Sequence, residues 1–450
     1  MAINLKTDPI SKSFYQYLWP ALTGMLIKSL FIMGDTLIVG MGIGSEGVGA
    51  MALIVAPFSI FTAIAMMVGI GGAAKMSIEI GKGKSRASQI WFSQSILLTA
   101  LLSSITVGVG IVWLDEIIAS IGATGSIAKH AHDYMSAILP FFVVYSLAWV
   151  LSCFVRNDTN PKLATYAMSF GAIANLACDY FFIIKMDMGM AGAAYGTAVA
   201  QTLIALILIT HLAREKGTLR LNLKGIGLSK AKEILSIGTP TFFLELTSAM
   251  TIILFNYVLL NQFGEGYIIA YGLTTNVGIF ALFVMVGIAQ ACQPILSFNH
   301  GAGRPERIDE ILKLGMKAAM GSGTVFLLGI WLSAPLIASV YLGNANNLIP
   351  IAASALTSYF FGVPLMGLNM VIANLFQAIA KPKQATLISL CRGFVFVALG
   401  VLLLPNFFPQ DGIWASIVFA ETLTAVISLS MLFNYRKRAV ELTTSVARSS

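Results

Sequence analysis

Charge is what this chain has least of. Only 11% of its 450 residues are Asp, Glu, Lys or Arg, where an ordinary soluble domain has about a quarter. So little polar surface could not cover a water-soluble fold, which excludes the two or three soluble domains that length alone would allow. Cysteine is scarce too. Cys153, Cys178, Cys292 and Cys391 stand singly in apolar stretches with no CxxC spacing, so they read as small buried hydrophobes rather than disulfides or metal ligands. There is no nucleophile elbow, P-loop or zincin helix, and the HxH of His130 and His132 has no third ligand near it in sequence. These absences argue against an enzyme and against a bound cofactor. Apolar length, by contrast, is abundant: 57% of the residues are hydrophobic and the mean hydropathy is +0.83. The expected class is an all-α integral membrane protein, because helices satisfy their own backbone groups in lipid, and 41 glycines let such helices approach closely.

Twelve apolar stretches are long enough to span a bilayer, near 14–39, 48–74, 88–113, 134–154, 163–184, 190–212, 236–261, 268–293, 316–341, 349–378, 384–405 and 413–433. The first lacks a small-residue cleavage site and is too long for a cleavable signal. With the N-terminus placed in the cytoplasm, Lys82, Lys84, Arg86, Arg156, Lys162, Arg214, Lys216, Arg304, Arg307, Lys381, Lys383 and Arg436–Arg438 all fall on that side. Lys129 and Lys185 face the other. This is a positive-inside pattern with both termini cytoplasmic. The net charge of +8 is thereby spread over many loops, which argues against a nucleic-acid partner. A bacterial inner membrane and a monomer are expected.

The chain also repeats itself. "NPKLAT" at 160–165 returns as "KPKQAT" at 381–386, "GKGKSR" at 81–86 as "GAGRPE" at 301–306, and "AQTLIALI" at 200–207 as "AETLTAVI" at 420–427. Pro20 of "YLWPAL" is echoed by Pro240 of "IGTPTF", and "MVGIG" at 67–71 by "MVGIA" at 285–289. Four of these echoes are shifted by 220 or 221 and the last by 218. An even number of spans separates the copies, so two six-helix bundles of like orientation are related by a pseudo-two-fold axis along the membrane normal. The expected division is 1–212 for the first lobe, 213–235 for a basic cytoplasmic linker, 236–435 for the second lobe and 436–450 for a cytoplasmic tail. Two like lobes suit a transporter working by alternating access.

Polar residues inside spans are expensive and point to function. The first lobe has Lys28 and Asp35 in helix 1, Asn175 and Asp179 in helix 5, and Thr197 and Gln201 in helix 6. Asp35, Asp179 and Thr197 lie at similar depth, roughly 7–11 Å beneath the outer ends of their helices, and Asn175 and Asp179 share a helix face. Two carboxylates, an amide and a hydroxyl at one level suit a small cation. Hard oxygens favour Na+, and neighbouring carboxylates can share a proton. Na+ is favoured over H+ because Asn175 and Thr197 add neutral oxygens that a proton does not need. The plainer alternative pairs each acid with a buried base, for which Lys28 is the nearest candidate. Shifting Asp35 and Asp179 by 220 gives Phe255 and Leu399, so the second lobe has no such pair. Its acids are Glu245, on a cation path or merely in a vestibule, and Glu421, a weaker candidate opposite Gln201 in the repeat. Arg392 is expected to snorkel or to form a salt bridge.

Twelve spans, the parallel repeat and the basic Gly-rich loops after helices 2 and 8 resemble the multidrug and toxic compound extrusion (MATE) exporters along nearly the whole chain. The resemblance implies the prokaryotic branch whose cation site has an acid in helix 1, Asn and Asp four apart in helix 5, and Thr in helix 6. Those positions are Asp35, Asn175, Asp179 and Thr197. It further implies a bend at Pro20 coupled to ion binding, and substrate contacts at Tyr134 and Met168, to which Lys28 and Glu245 are added as cavity candidates. The departures are Lys28 in place of a polar amide, Ser152 in place of an Asn in helix 4, and a helix 10 without an acid. The resulting expectation is export of hydrophobic, often cationic, drug-like compounds by antiport with Na+ or H+. A lipid or glycolipid flippase and a major-facilitator transporter are the alternatives.

Overall fold

The structure, a computed structural model, describes residues 3–213, 217–343, 347–409 and 411–449, with side chains as far as Lys437. Arg214 and Lys216 of the expected linker, and the side chains of the expected tail beyond Lys437, lie outside the described residues. Regular structure among the described residues is entirely helical, and twelve helices are long and apolar enough to cross a membrane. They are α1 (Ile10–Gly42), α2 (Ser45–Gly81), α3 (Ser85–Val112), α4 (Gly125–Asn157), α5 (Pro161–Lys185), α6 (Gly189–Ala213), α7 (Leu228–Phe263), α8 (Glu265–Gly301), α9 (Pro305–Leu342), α10 (Ile349–Ala378), α11 (Pro382–Phe407) and α12 (Gly412–Lys437). Each of the twelve apolar stretches becomes one helix. Several start earlier than the apolar run: α7 begins at Leu228 and α9 at Pro305. The reason is that a helix can continue into a polar turn beyond the hydrocarbon, where hydropathy gives no signal.

The repeat is written in the backbone as well. Left-handed φ angles recur in register at Gly44 and Gly264 (90° and 89°), Gly83 and Gly303 (75° and 66°), Gly122 and Gly343 (76° and 57°), and Thr159 and Ala380 (63° and 55°). The hydrogen bonds that close α2 and α8 match too: Lys84 N–H donates to the Glu79 carbonyl at 2.9 Å, and Arg304 N–H to the Asn299 carbonyl at 3.0 Å. Both are helix C-terminal closures that need a left-handed residue, here glycine, just before the donor. Duplicated sequence thus makes duplicated turns, although few side chains match.

The chain forms two compact units, one of the residues up to Asp8 with Tyr15–Leu246, the other of Pro9–Phe14 with the chain from Thr247 onward, so the main division falls within α7. In the first unit α2 packs on α3 and α4, and both α4 and α5 pack on α6. Close approach depends on small residues: a Cβ on Gly72 would lie 2.0 Å from Ser95 Oγ, so α2 and α3 touch backbone to side chain there. The start of α5 is fixed by its cap. Asn160 accepts from Leu163 N–H at 3.2 Å with Pro161 in the first turn. The buried His211, at the end of α6, contacts Asn160 at 3.2 Å and Asp158 at 2.9 Å. Asp158 also accepts from the Thr218 N–H and hydroxyl, so one carboxylate ties the α4–α5 loop to the chain leaving α6.

In the second unit α10 packs against α8, α9 and α12, and α11 packs on α12. Its interior holds a fully connected polar network. Arg392, in a π-helical turn of α11 (Cys391–Val395), donates to Glu421 Oε1 from Nε at 3.1 Å and from NH2 at 2.9 Å. Asn369 donates to Glu421 Oε2 at 2.8 Å, and Ser428 donates to Asn369 Oδ1 at 2.7 Å. Of the two fates expected for Arg392, the structure shows the salt bridge, with both partners buried. Removing one partner of a buried pair leaves an uncompensated charge. Glu421→Ala should therefore lower stability by about 3–5 kcal/mol, read as a fall in the thermal unfolding midpoint in detergent. The double replacement Arg392→Met/Glu421→Leu should recover most of that loss.

Candidate functional site

Helix α1 carries Lys28 and Asp35, seven residues apart and so about 10 Å along the axis. Helix α5 carries Asn175 and Asp179 on one face, immediately before a π-helical turn at Tyr180–Lys185. Such turns shift the hydrogen-bond ladder and are frequent at functional sites. Helix α6 carries Gly196, Thr197 and Gln201. The first unit brings these three helices together so that the Asp35 and Asp179 side chains come within direct interaction range of each other. Two carboxylates in contact hold between them either a shared proton or a cation, since two bare charges would repel.

Asp179 is fully buried and Asn175 nearly so. Asn175 Nδ2 donates to Asp179 Oδ1 at 3.3 Å. That leaves Asn175 Oδ1 and Asp179 Oδ2 as buried oxygens with no hydrogen-bond partner. Native structures rarely tolerate such atoms without a reason. The hydroxyls of Thr197 and Tyr134 lie within interaction range of each other beside the acids. The donor set is therefore oxygen throughout, with two carboxylates, an amide oxygen and a hydroxyl. It fits a hard cation such as Na+ or a proton and offers nothing to a soft metal.

Gly196 was not singled out by sequence reasoning, yet it shapes this cluster. A Cβ there would lie 2.0 Å from Asp179 Oδ1 and 3.3 Å from Asn175 Nδ2. Only the bare backbone of α6 lets the acid sit where it does. The signal was present in "GAAYGTAVA", where small residues alternate along one helix, but without the neighbouring helix it looks like ordinary helix packing.

A cavity of about 470 Å³ opens beside the cluster. Its wall includes Asp35, Asn175, Thr197 and Gln201, and also Lys28, Tyr134, Met168 and Glu245. Of the residues named in the sequence as candidates, Asp179, Pro20 and the weaker candidate Glu421 do not line this space: Asp179 is fully buried, and Glu421 belongs to the second-unit network. Much of the rest is apolar or aromatic, including Phe58, Tyr145 and Trp149. The aromatic members pack on one another, with Phe58 edge-on to Tyr145 at 5.3 Å between ring centres. Lys28 Nζ sits 5.1 Å above the Trp149 ring. Met168 bridges α5 to α4: its sulfur lies 3.6 Å from the Ser152 hydroxyl and 3.9 Å from Arg156. Ser152, which stands where the resemblance led one to expect Asn, lines the cavity itself and also holds Met168.

Pro20 lies inside α1, where it removes a backbone donor and weakens the helix. Its carbonyl accepts from the Thr165 hydroxyl of α5 at 2.8 Å. The proline is thus tied to the helix that carries Asn175 and Asp179. The HxH imidazoles go separate ways, His130 to Glu46 at 3.9 Å and His132 to Asp115 at 3.7 Å.

A family model described as MatE matches the chain twice, over residues 20–181 and again over 240–402. The two matches follow the repeat. Among curated proteins, the multidrug export protein MepA of Staphylococcus haemolyticus is 22% identical over 438 residues, covering 95% of this chain and 94% of its own. MepA of Staphylococcus aureus is 22% identical over 440 residues, covering 96% and 95%. Among solved structures, an outward-facing multidrug resistance MATE transporter of the MOP superfamily superposes with a TM-score of 0.90 at 21% identity, covering 97% of both chains. A Vibrio cholerae MATE transporter gives 0.88 at 19% identity, covering 94% of this chain and 97% of its own. The all-helical, twelve-span fold is the same in these neighbours.

The contact at Gly196 makes a direct prediction. Gly196→Ala should force the Asp179 carboxylate away and weaken cation binding at the cluster by about tenfold or more. The reading is the Na+ concentration, or the acidity, needed to raise the thermal unfolding midpoint of the purified protein. Ala at the neighbouring exposed Tyr195 should leave that midpoint response as in the unsubstituted chain.

Proposed function

The chain belongs to the MatE family, and from that premise we propose that it is a secondary active multidrug exporter of a bacterial plasma membrane. It would exchange organic, often cationic, compounds for Na+ or H+ by alternating access. Members of the family carry solutes rather than transform them, so no catalytic residue is sought. The double family match sets aside the major-facilitator alternative. A lipid flippase would call for a broadly basic cavity, and Lys28 is the one basic side chain among the described residues lining this one.

The observation that carries the reading is the contact between Asp35 and Asp179 beside a drug-sized cavity. Cavities of about 300–1,000 Å³ are typical for small ligands. The acids supply the coupling. Two unit charges about 4 Å apart repel by on the order of 4 kcal/mol at an effective dielectric near 20. With a proton or Na+ shared between them, α1 and α5 can stay closed on one another. Without it, repulsion favours an arrangement in which the carboxylates part. A shift of this size is enough to move a two-state equilibrium by about a thousandfold, and only such differential affinity can drive a conformational change. Thr165 holds Pro20 on the same pair of helices, so movement at the acids would be felt at the weak point of α1.

Asn175 and Thr197 favour Na+ as the ion, because their oxygens complete a coordination shell that a proton would not use. In de-energised cells preloaded with ethidium, a NaCl pulse should start efflux and an outside-acid pulse should start less. Asp179→Asn should reduce both to the rate of cells without the transporter, while the purified variant keeps its unfolding midpoint within a few degrees. Normal efflux by that variant would remove the acids from the mechanism.

A further inference from the structure

The chain between α6 and α7 is irregular over residues 219–227, with a turn at Lys224 and Gly225, before α7 starts at Leu228. Its backbone is held on α3. The Asn222 N–H donates to Ser93 Oγ at 2.7 Å and the Gly227 N–H to Gln94 Oε1 at 2.8 Å. A Cβ on Gly225 would stand 3.5 Å from Ile90 Cδ1. Leu219, where the connection begins, is only 1% exposed, but Leu221 is 67% and Leu228 72% exposed, and Leu223 and Ile226 between them also point outward. We propose that this connection and the start of α3 form a binding site for an anionic phospholipid, with its headgroup phosphate at Arg86 and Lys224 and its acyl chains along the exposed leucines. None of these residues lines the first-unit cavity, so the site is separate from the proposed export path and does not rest on that reading.

Helix α3 shows which way this surface faces. Arg86, Ile90, Ser93, Leu97 and Leu101 fall along one stripe of the helix. Leu97 and Leu101 are exposed apolar side chains within a membrane span, so the stripe faces lipid. The connection lies over the end of this stripe nearest Arg86, which places its leucines against the bilayer rather than in bulk water. Irregular backbone is tolerated there only where its polar groups find partners, and Ser93 and Gln94 supply them. The turn at Lys224 sits beside Ile90, one helical turn or about 6 Å from Arg86, so the two cations stand at neighbouring depths. Among the described residues neither of them forms a salt bridge. Acids of the same end are engaged elsewhere: Glu79 with Lys82 at 2.7 Å, Glu233 with Lys75 at 2.5 Å and Asp158 with His211 at 2.9 Å. A further cation, Lys230, lies 5.9 Å from the Trp91 ring that Lys75 also faces at 4.9 Å. Such an excess of basic groups beside an apolar surface selects anionic over neutral headgroups, by about fivefold for each cation. A lipid seated here would also brace α5, because Thr218 of the same connection donates to Asp158, in the loop that leads into that helix, from its N–H at 2.9 Å and its hydroxyl at 2.7 Å.

The test titrates the purified full-length protein in an uncharged detergent with phosphatidylglycerol, with phosphatidylcholine of the same acyl chains, or with glycerol 3-phosphate. The thermal unfolding midpoint is read, and bound lipid is counted by native mass spectrometry. Phosphatidylglycerol should raise the midpoint at about tenfold lower concentration than phosphatidylcholine, and glycerol 3-phosphate should leave it unchanged. Lys224→Gln should raise the phosphatidylglycerol concentration needed by about fivefold, and Arg86→Gln/Lys224→Gln by about twentyfold, with the phosphatidylcholine response unaltered. Lys162→Gln removes an exposed charge from the same end of the unit but on α5, and should leave both responses as they are. Leu221→Ser/Leu228→Ser should weaken both lipids alike. All these side chains are exposed, so the lipid-free midpoints should stay close to that of the unsubstituted chain. Equal responses to the two lipids, equal losses in Lys162→Gln and Lys224→Gln, unchanged lipid binding in the leucine variant, or the same stabilisation by glycerol 3-phosphate would each overturn the inference. Efflux is not read in this test, so either result leaves the export reading to its own experiment.

Discussion

Two carboxylates held in contact inside an apolar helical unit set the terms for the rest of the first unit. Among the described residues no basic side chain forms a salt bridge with Asp35 or Asp179, and the neighbouring oxygens include those of Asn175 and Thr197. Two ionised carboxylates so placed repel each other unless a positive charge lies between them. The surroundings are arranged to keep that charge a visitor rather than a fixture. A lysine or arginine at the site would satisfy the acids permanently and abolish any dependence on an ion. Lys28 is kept two helical turns away, where its ammonium lies over the Trp149 ring. Gly196 leaves room for Asp179 to sit against α6, and the π-helical turn follows directly. Each feature has a plain packing explanation alone. Together they suit the cluster to the exchangeable cation of the proposed function.

The repeat shows what duplication preserves and what it gives up. The turns survive in both copies, down to the same left-handed angles at residues 220 or 221 apart. The interior does not. In the first unit Ala148, Gly171 and Gln201 line the cavity. In register with them, the second unit has Asn369, Arg392 and Glu421, which are buried and bonded to one another. Ala148 and Gly171 leave open space, whereas the larger Asn369 and Arg392 fill the corresponding place and bond to Glu421. A closed network is safe only when every member is satisfied, and here each has a partner. The same backbone plan thus carries a site in one copy and a polar core in the other.

The spans, the repeat and the depth of the acids were legible in the sequence because each follows from a local pattern. Hydropathy gives a helix in lipid, an echoed motif gives a turn, and residue count gives depth along a helix. Depth nominates Asp35, Asp179 and Thr197 together, and the four-residue spacing adds Asn175 to the face of Asp179. What stayed hidden needs a partner from another helix. Gly196 reads as one small residue among many until Asp179 is placed beside it. Arg392 and Glu421 lie 29 residues apart, and nothing in either span reveals that they meet.

The tether between Thr165 and Pro20 connects these levels. "NPKLAT" caught attention as a repeated phrase, and its threonine turns out to bind the carbonyl of the proline in α1. A proline lowers the resistance of a helix to bending, while a side-chain hydrogen bond from a second helix decides where the softened segment rests. The cation cluster lies some fifteen residues farther along α1, or roughly 22 Å at helical rise. Over that length a small change in the angle at Pro20 becomes a displacement of several ångströms at Asp35. The acids need move apart by no more than this to exchange a shared ion for separate solvation. A soft hinge tied to α5 and a repulsive pair shared with α5 therefore act on the same two helices from opposite ends. On the proposed function, binding at one end would be felt as bending at the other along α1 itself.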